Sequence, residues 1–309
     1  MGRKKLEIID PPFLEANESR LLSFHSVLNV LHALVGEISL LSLDAPALGE
    51  RLAPYAEAFE AIVQSVPETT DPKVIVRRTL AHADAFEAEF AANRRDEHLT
   101  RARAHPEADI LLTVLRILRL RLGEISHCWR DPHSWTSVPV AAVANNLREA
   151  FAAIEKHAGG RFGIVFEPAQ PGPDDYLVAL RLVPAEGDAF WLPPGIEDVL
   201  RDLAANARKY TLPGGRIAIS MLQERTCLRV AIKDNGIGIP VDELGRVCDF
   251  GVRGSNIGSR RTLGGGFGLT KAVSLVKLWG GRFWIDSGAG HGTEITFTVP
   301  LPETRQAVA

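Results

Sequence analysis

Two glycine clusters constrain what the second half of this chain can become. The first is Asp234-Asn235-Gly236-Ile237-Gly238-Ile239-Pro240, directly after a predicted strand, Leu228–Lys233. The second is Gly264-Gly265-Gly266-Phe267-Gly268-Leu269, at the start of a predicted helix, Phe267–Trp279. Glycine at alternate positions permits a tight turn and close approach of the backbone to a ligand. Free amides and the helix dipole make a helix N-terminus an anion site. A dinucleotide fingerprint needs glycine where Leu269 stands, and no Gly-Lys-Ser/Thr follows, so neither the Rossmann nor the Walker loop fits. Each cluster taken alone is also consistent with a plain turn.

A third segment, Asp202-Leu-Ala-Ala-Asn206-Ala-Arg208-Lys209-Tyr210-Thr211, ends the predicted helix Gly195–Tyr210. Asp202, Asn206 and Lys209 share one helix face at the i, i+4, i+7 spacing. Such a stripe either faces solvent or lines a site. A carboxylate at a strand end, as at Asp234, can accept a hydrogen bond from an adenine amino group. Between the glycine clusters lie Arg246, Arg253, Arg260 and Arg261, which suit a polyanion or simply keep a loop soluble.

The chain changes character near residues 130–138. Before it, glycine is sparse and apolar spacing is helical. Helices are predicted over Glu18–Leu43, Pro46–Val66, from Asp71-Pro72 onward, and Pro106–Trp129. The first carries a heptad-like seam of Leu21, Phe24, Leu28, Leu31, Val35 and Ile38, and the fourth one of Leu111, Leu115, Leu118, Leu122 and Ile125. Exposed seams of this kind would suit a dimer. Trp129–Pro139 reads as a linker, followed by a helix over Val140–His157. Strands are expected at Phe162–Glu167, Tyr176–Val183, Arg216–Met221, Leu228–Lys233, Arg282–Asp286 and Thr293–Val299. The fold class is therefore α+β: an all-α bundle over residues 1–135, then over 136–309 an α/β sandwich, a mixed sheet with helices on one face.

At 309 residues, two domains are expected. The 35 Lys plus Arg nearly balance 38 Asp plus Glu, which argues against an electrostatic nucleic-acid binder. The cysteines, Cys128, Cys227 and Cys248, have neither disulfide nor zinc spacing, so a reducing, cytoplasmic setting is expected. No uninterrupted apolar run reaches the ~18 residues of a membrane span, and the N-terminus is not a secretory signal.

The three segments in this order resemble the N, G1 and G2 boxes of the Bergerat-type (GHKL) ATPases: sensor histidine kinases, gyrase, Hsp90 and MutL. Gly290-His291-Gly292-Thr293-Glu294-Ile295-Thr296-Phe297 is similar to the last box of that family. Asn-Ala-Arg-Lys-Tyr-Thr and Gly-Gly-Arg-Phe-Trp-Ile favour the histidine-kinase branch. The resemblance implies ATP and Mg²⁺ as cofactors. It implies that Asn206 ligates Mg²⁺, Lys209 contacts phosphate and Tyr210 packs on the nucleotide. Asp234 would hold the adenine amino group, with Thr293 nearby, and Gly236 and Gly238 would shape that pocket. Gly264, Gly266, Phe267, Gly268 and Leu269 would wrap the triphosphate. Val241–Leu263 would be the mobile lid, bringing Arg253. Asp202 stands where histidine kinases usually carry Asn and the hydrolytic relatives Glu. An acid there would help hold the metal or polarise the attacking group.

Phe24-His25-Ser26-Val27-Leu28-Asn29-Val30-Leu31 resembles the H box of the same family, with His25 as phosphoacceptor and Asn29 placed to orient a dephosphorylating water. The family usually has an acid at the position of Ser26, a basic residue at Leu28 and proline at Val30. His32 lies on the same stripe, and His82, His98, His105, His127 and His133 are further candidates. The expected activity is autophosphorylation from Mg²⁺–ATP and transfer to a response-regulator aspartate. The expected partners are a receiver domain, a second copy of the chain and a separate sensor protein. The alternatives are a non-catalytic ATP-binding docking module, or a serine kinase or plain ATPase of the same fold, since a four-helix domain ahead of such an ATPase also resembles the mitochondrial dehydrogenase kinases.

Overall fold

The computed structural model describes residues 2–93, 106–156, 160–257 and 265–302. The chain divides into two compact units, Leu14–Asp131 and Met1–Phe13 together with Pro132–Ala309.

The helical unit consists of α1 (Ala16–Asp44), α2 (Pro46–Ser65), α3 (Pro72–Asn93) and α4 (Pro106–Arg130). α1 opens on a reciprocal capping box between Glu15 and Glu18. Pro46 starts α2, where its missing N–H costs nothing, and α2 runs on through Pro54. The heptad seams of α1 and α4 are spent inside the unit. Phe24, Leu28, Leu31 and Ile38 are buried with Leu111, Leu115, Leu118 and Leu122, under a cover that includes Leu52, Phe59 and Ile62 of α2 and Phe86 and Phe90 of α3. Each buried Leu or Phe contributes roughly 1.5–3 kcal/mol, so α2 and α3 remove the strongest seam from any partner. The expectation of exposed seams is corrected on that point. The large apolar side chains left in solvent among the described residues of this unit are Leu40 and Leu43 of α1 and Leu120 of α4. α1 is also the one described helix long and apolar enough to cross a membrane by length and composition, with a mean hydropathy of 1.6 over its best window. It serves as the central helix of this unit, packed on α2 and α4.

The second unit is built on a seven-stranded mixed sheet. Its strands are β1 (Lys4–Ile8), β3 (Ile164–Phe166), β4 (Tyr176–Val183), β6 (Arg216–Gln223), β7 (Cys227–Asp234), β8 (Arg282–Ser287) and β9 (Thr293–Pro300). They run in the order β1-β8-β9-β7-β6-β4-β3. β3, β4 and β6 are parallel and the remaining pairs antiparallel. β2 (Thr136–Pro139) and β5 (Ala189–Leu192) form a separate two-stranded ribbon, whose β5 is tied to β6 by the Gln223 amide, which donates to and accepts from the Trp191 backbone. Helices α5 (Val140–Lys156), α6 (Ile196–Tyr210) and α7 (Gly268–Leu278) cover one sheet face. Alternate strand residues face them: Ile217, Ile219 and Met221; Leu228, Val230 and Ile232; Phe283 and Ile285; Ile295, Phe297 and Val299.

Two sequence expectations change here. Residues 136–139, read as linker, are β2. Residues 4–8, assigned to the helical half, are an edge strand of the sheet, in register Lys4↔Ser287 to Ile8↔Phe283. Glu7 clamps Arg282 through two bonds of 2.8 and 2.7 Å, and Arg3 pairs with Asp286 at 2.9 Å. The helical unit is therefore an insertion between β1 and β2.

Candidate functional site

β7 ends at Asp234, which the strand register sets directly opposite Thr293 of β9. Asp234 Oδ1 accepts from the Gly236 N–H at 2.8 Å and the Thr293 N–H at 3.2 Å. The residue is only 7% exposed, and burial pushes its pKa up to about 6 against those two backbone bonds. Gly238 follows at φ +65, and a Cβ there would stand 2.0 Å from the Gly288 carbonyl oxygen, so only glycine lets the two loops close. Ser287 Oγ accepts from the Ile239 N–H at 2.8 Å and lies 3.0 Å from the Thr293 hydroxyl. Gly236, Gly238, Asp234 and Thr293 thus form one wall.

α6 supplies a second wall. None of its residues is fully exposed, so its polar stripe does not simply face solvent. Its last residue, Tyr210, accepts the Ile237 N–H at 3.0 Å and seats the helix end on the glycine turn. The Lys209 ammonium lies 5.4 Å from the Tyr210 ring. Burial and then the positive charge of Arg253 lower the Lys209 pKa, while burial raises that of Tyr210 against the pull of Arg253. A half-buried lysine with a second cation near enough to depress it marks a place suited to a polyanion. Further up α6, a Cβ on Gly268 would lie 2.9 Å from Asn206 Nδ2 and 3.6 Å from Asp202 Cβ. The α7 N-terminus therefore abuts the Asn206 amide, leaving its first N–H groups without intrahelical acceptors.

The segment after Gly238 makes core and hydrogen-bond contacts over its described part. Leu244, Val247 and Cys248 are buried in the core, and Asn256 Nδ2 donates to the Gly238 carbonyl at 2.9 Å. Phe250 stacks on Phe267 with ring centroids 4.5 Å apart. Gly266 sits against Gly251, and Leu269 packs on the sheet core. Of the expected lid, Val241–Leu263, residues 241–257 carry these contacts. Residues 258–264, with Gly264, Arg260 and Arg261, lie outside the described residues. Arg253 and Arg246 are both solvent-exposed.

A buried carboxylate at a strand end, a helix end seated on the glycine turn after it, and an asparagine amide against a glycine-started helix thus follow one another along β7, α6 and α7. The family model for histidine kinase-, DNA gyrase B- and HSP90-like ATPases matches residues 192–303. Those residues form an ATPase domain of that family. The ATPase domain begins just before α6 and contains every pocket residue named above. Among relatives, the chain is 38% identical over 113 residues to the sensor histidine kinase WalK of Bacillus subtilis, covering 36% of this chain and 18% of that protein. It is 43% identical over 108 residues to the adaptive-response sensory kinase SasA of Parasynechococcus marenigrum, covering 34% and 28%. The chain thus spans less than a third of the length of these curated relatives. A solved mycobacterial sensor histidine kinase, MprB, aligns over 54% of this chain and 97% of its own at 18% identity and a TM-score of 0.39.

Two side chains of the ATPase domain escaped the motif reading. Lys271 of α7 is buried and bonds the Asp198 carboxylate, with its Nζ 3.6 Å from Asp202 Oδ2. Burial draws its pKa down, but Asp202 and Asp198 outweigh it and hold the ammonium above its ordinary value. A lysine in the otherwise apolar run Ala272–Val273, and an acid at Asp198 one turn before Asp202, were the available signals. Asp202 is thereby engaged in a salt bridge.

In the helical unit, His25 is half-buried and its Nε2 lies 3.2 Å from Asn29 Nδ2. An amide donating there leaves the ring proton on Nδ1. Ser26, by contrast, is buried, and its hydroxyl has no hydrogen-bond partner among the described residues. It points into the core, away from any role beside the imidazole. His32 is exposed, while His82 packs edge-on against Phe59, and His98 and His105 lie outside the described residues.

Proposed function

We propose that the chain is a histidine-kinase-like enzyme. It binds Mg²⁺–ATP in the ATPase domain, transfers the γ-phosphoryl group to His25 and passes it to an aspartate of a response-regulator receiver domain. The observation that supports this reading is the seating of α6, which carries Asn206 and Lys209, on the glycine turn after Asp234, in a chain that also pairs His25 with Asn29.

The residues present fit a nucleoside triphosphate with its metal. The Oδ2 of Asp234 takes no hydrogen bond among the described residues, so it is the acceptor for the adenine amino group. Lys209 and Arg253 hold phosphate oxygens, together with the N–H groups opening α7. Asn206 offers the metal an amide oxygen, with its amide nitrogen turned to Gly268. Mg²⁺ supplies neutralisation of the phosphate charge. In the transfer, the Nε2 lone pair of His25 forms the N–P bond as the bond from phosphorus to the β-phosphate oxygen breaks, and ADP leaves. Asn29 orients the imidazole and then a water for dephosphorylation.

The working unit is a homodimer, with Leu40, Leu43 and Leu120 on adjacent helices as its apolar surface. The setting is cytoplasmic, and a separate sensor protein supplies the input.

Incubation with γ-labelled ATP tests the reading. It expects label that is acid-labile, base-stable and absent from His25→Gln. Label that persists in that variant removes His25 as the acceptor. The burial of Ser26 favours a second reading, a non-catalytic ATP-binding docking module, because a buried serine stands where the family usually has an acid beside the phosphoacceptor. Nucleotide binding without phosphoryl transfer at any Mg²⁺ concentration identifies that case.

A further inference from the structure

Behind the phosphate end of the pocket, α6 and α7 meet at two levels. At the first, Gly268 of α7 abuts the Asn206 amide of α6. At the second, one turn further along α7 and one turn back along α6, Lys271 reaches between Asp198 and Asp202. Its ammonium bonds the Asp198 carboxylate and lies 3.6 Å from Asp202 Oδ2, and Arg201 joins Asp198 at 3.4 Å. Lys271 is 6% and Asp198 8% exposed. The neighbours of Lys271 on α7, Ala272, Val273 and Val276, are ordinary core residues. Burying an ion cluster is a poor route to stability compared with apolar packing of similar volume, but it fixes the relative placement of the elements that carry it. Here those elements carry the asparagine amide and the glycine-lined helix start.

We propose that Lys271 is a positioning residue, clamping α6 to α7 so that Asn206 and the N-terminus of α7 stand at the separation a metal–triphosphate unit requires. This rests on the nucleotide reading above. The clamp governs the metal-dependent part of nucleotide affinity and leaves the adenine end alone. Asp234 and Thr293 stand on β7 and β9, outside the α6–α7 junction.

The test is titration of the full chain with a fluorescent ATP analogue, once in EDTA and once across a Mg²⁺ series. The double variant Lys271→Met/Asp198→Asn removes one charge of each sign and keeps the junction balanced. Its affinity in EDTA stays within about twofold of wild type. Its Mg²⁺-dependent gain falls at least about fivefold, with a matching rise in the Mg²⁺ concentration for half-effect. Thermal melting confirms that it is folded. If it does not fold, Lys271→Arg carries the test, since its longer forked cation alters the spacing while keeping the charge, and the same selective loss is expected. An unchanged Mg²⁺-dependent gain overturns the proposal. A parallel loss in EDTA and Mg²⁺ also overturns it, because that is what a purely structural lysine would give. A wild-type chain that binds no nucleotide under either condition overturns the nucleotide reading itself, an outcome distinct from both.

Discussion

The backbone N–H of Thr293 donates to Asp234 Oδ1 across 3.2 Å, joining the ends of β7 and β9 through one carboxylate. Burial raises the pKa of that carboxylate to about 6. Adenine binding as proposed requires the ionised form, so affinity for an ATP analogue should fall as pH drops through about 6. Nucleotide titrations between pH 5 and 8 check this.

The same group makes an opposite prediction for stability. Its pKa is higher in the folded chain than the ordinary 3.8, so the folded state holds the proton more tightly. Its contribution is greatest below the ordinary pKa and is lost as pH rises through about 6. Asp234→Asn keeps an acceptor for Gly236 and Thr293 without a buried charge. At pH 7.5 it should raise Tm by a few degrees, from an order of ~1–3 kcal/mol, while nucleotide binding falls by about 100-fold or more. A melting curve and a binding titration on the one variant decide both halves.

Gly238→Ala should damage the adenine wall from the backbone. The added Cβ meets the Gly288 carbonyl at 2.0 Å, and φ +65 disfavours any L side chain. The expected result is a Tm lowered by about 5 °C and nucleotide affinity reduced by more than about tenfold. Differential scanning fluorimetry with and without ATP reads both.

Asn206→Ala should abolish Mg²⁺-dependent phosphoryl transfer with little change in Tm, because the residue is only partly buried and its contact is with a glycine. Measurement of phosphoenzyme and of released phosphate, alongside melting, checks the separation of chemistry from fold.

Deleting residues 2–8 should expose the edge of β8, whose unpaired N–H and C=O groups invite intermolecular pairing. Light scattering should show concentration-dependent association. Glu7→Ala in the intact chain should not, since the ladder of main-chain bonds survives it.

The helices and most strands were legible because their periodicity is strong. α2 and α4 start where the sequence reading placed them, and α6 and β8 fall within a residue of it at each end. The glycine clusters pointed to the pocket because turns that close on a backbone admit few residues. β1 was not legible. In Lys4–Ile8 only Leu6-Glu7-Ile8 alternates, too short a run to mark an edge strand, and its partner lies about 280 positions away. The seam of α1 was read correctly as apolar, but what covers it depends on α2 and α3, which periodicity alone does not decide. Lys271 was missed because a motif reading stops at the glycines, and a buried lysine declares itself only when its two carboxylates are brought to it.

The pairing of β1 with β8 also sets an order of assembly. Arg3 and Asp286 are separated by 283 positions, so β1 has no ladder partner until the residues of β8 have emerged. During translation the helical insertion is therefore synthesised while β1 is still unpaired. Until the last hairpin arrives, that strand is the segment chaperones and neighbouring nascent chains can capture.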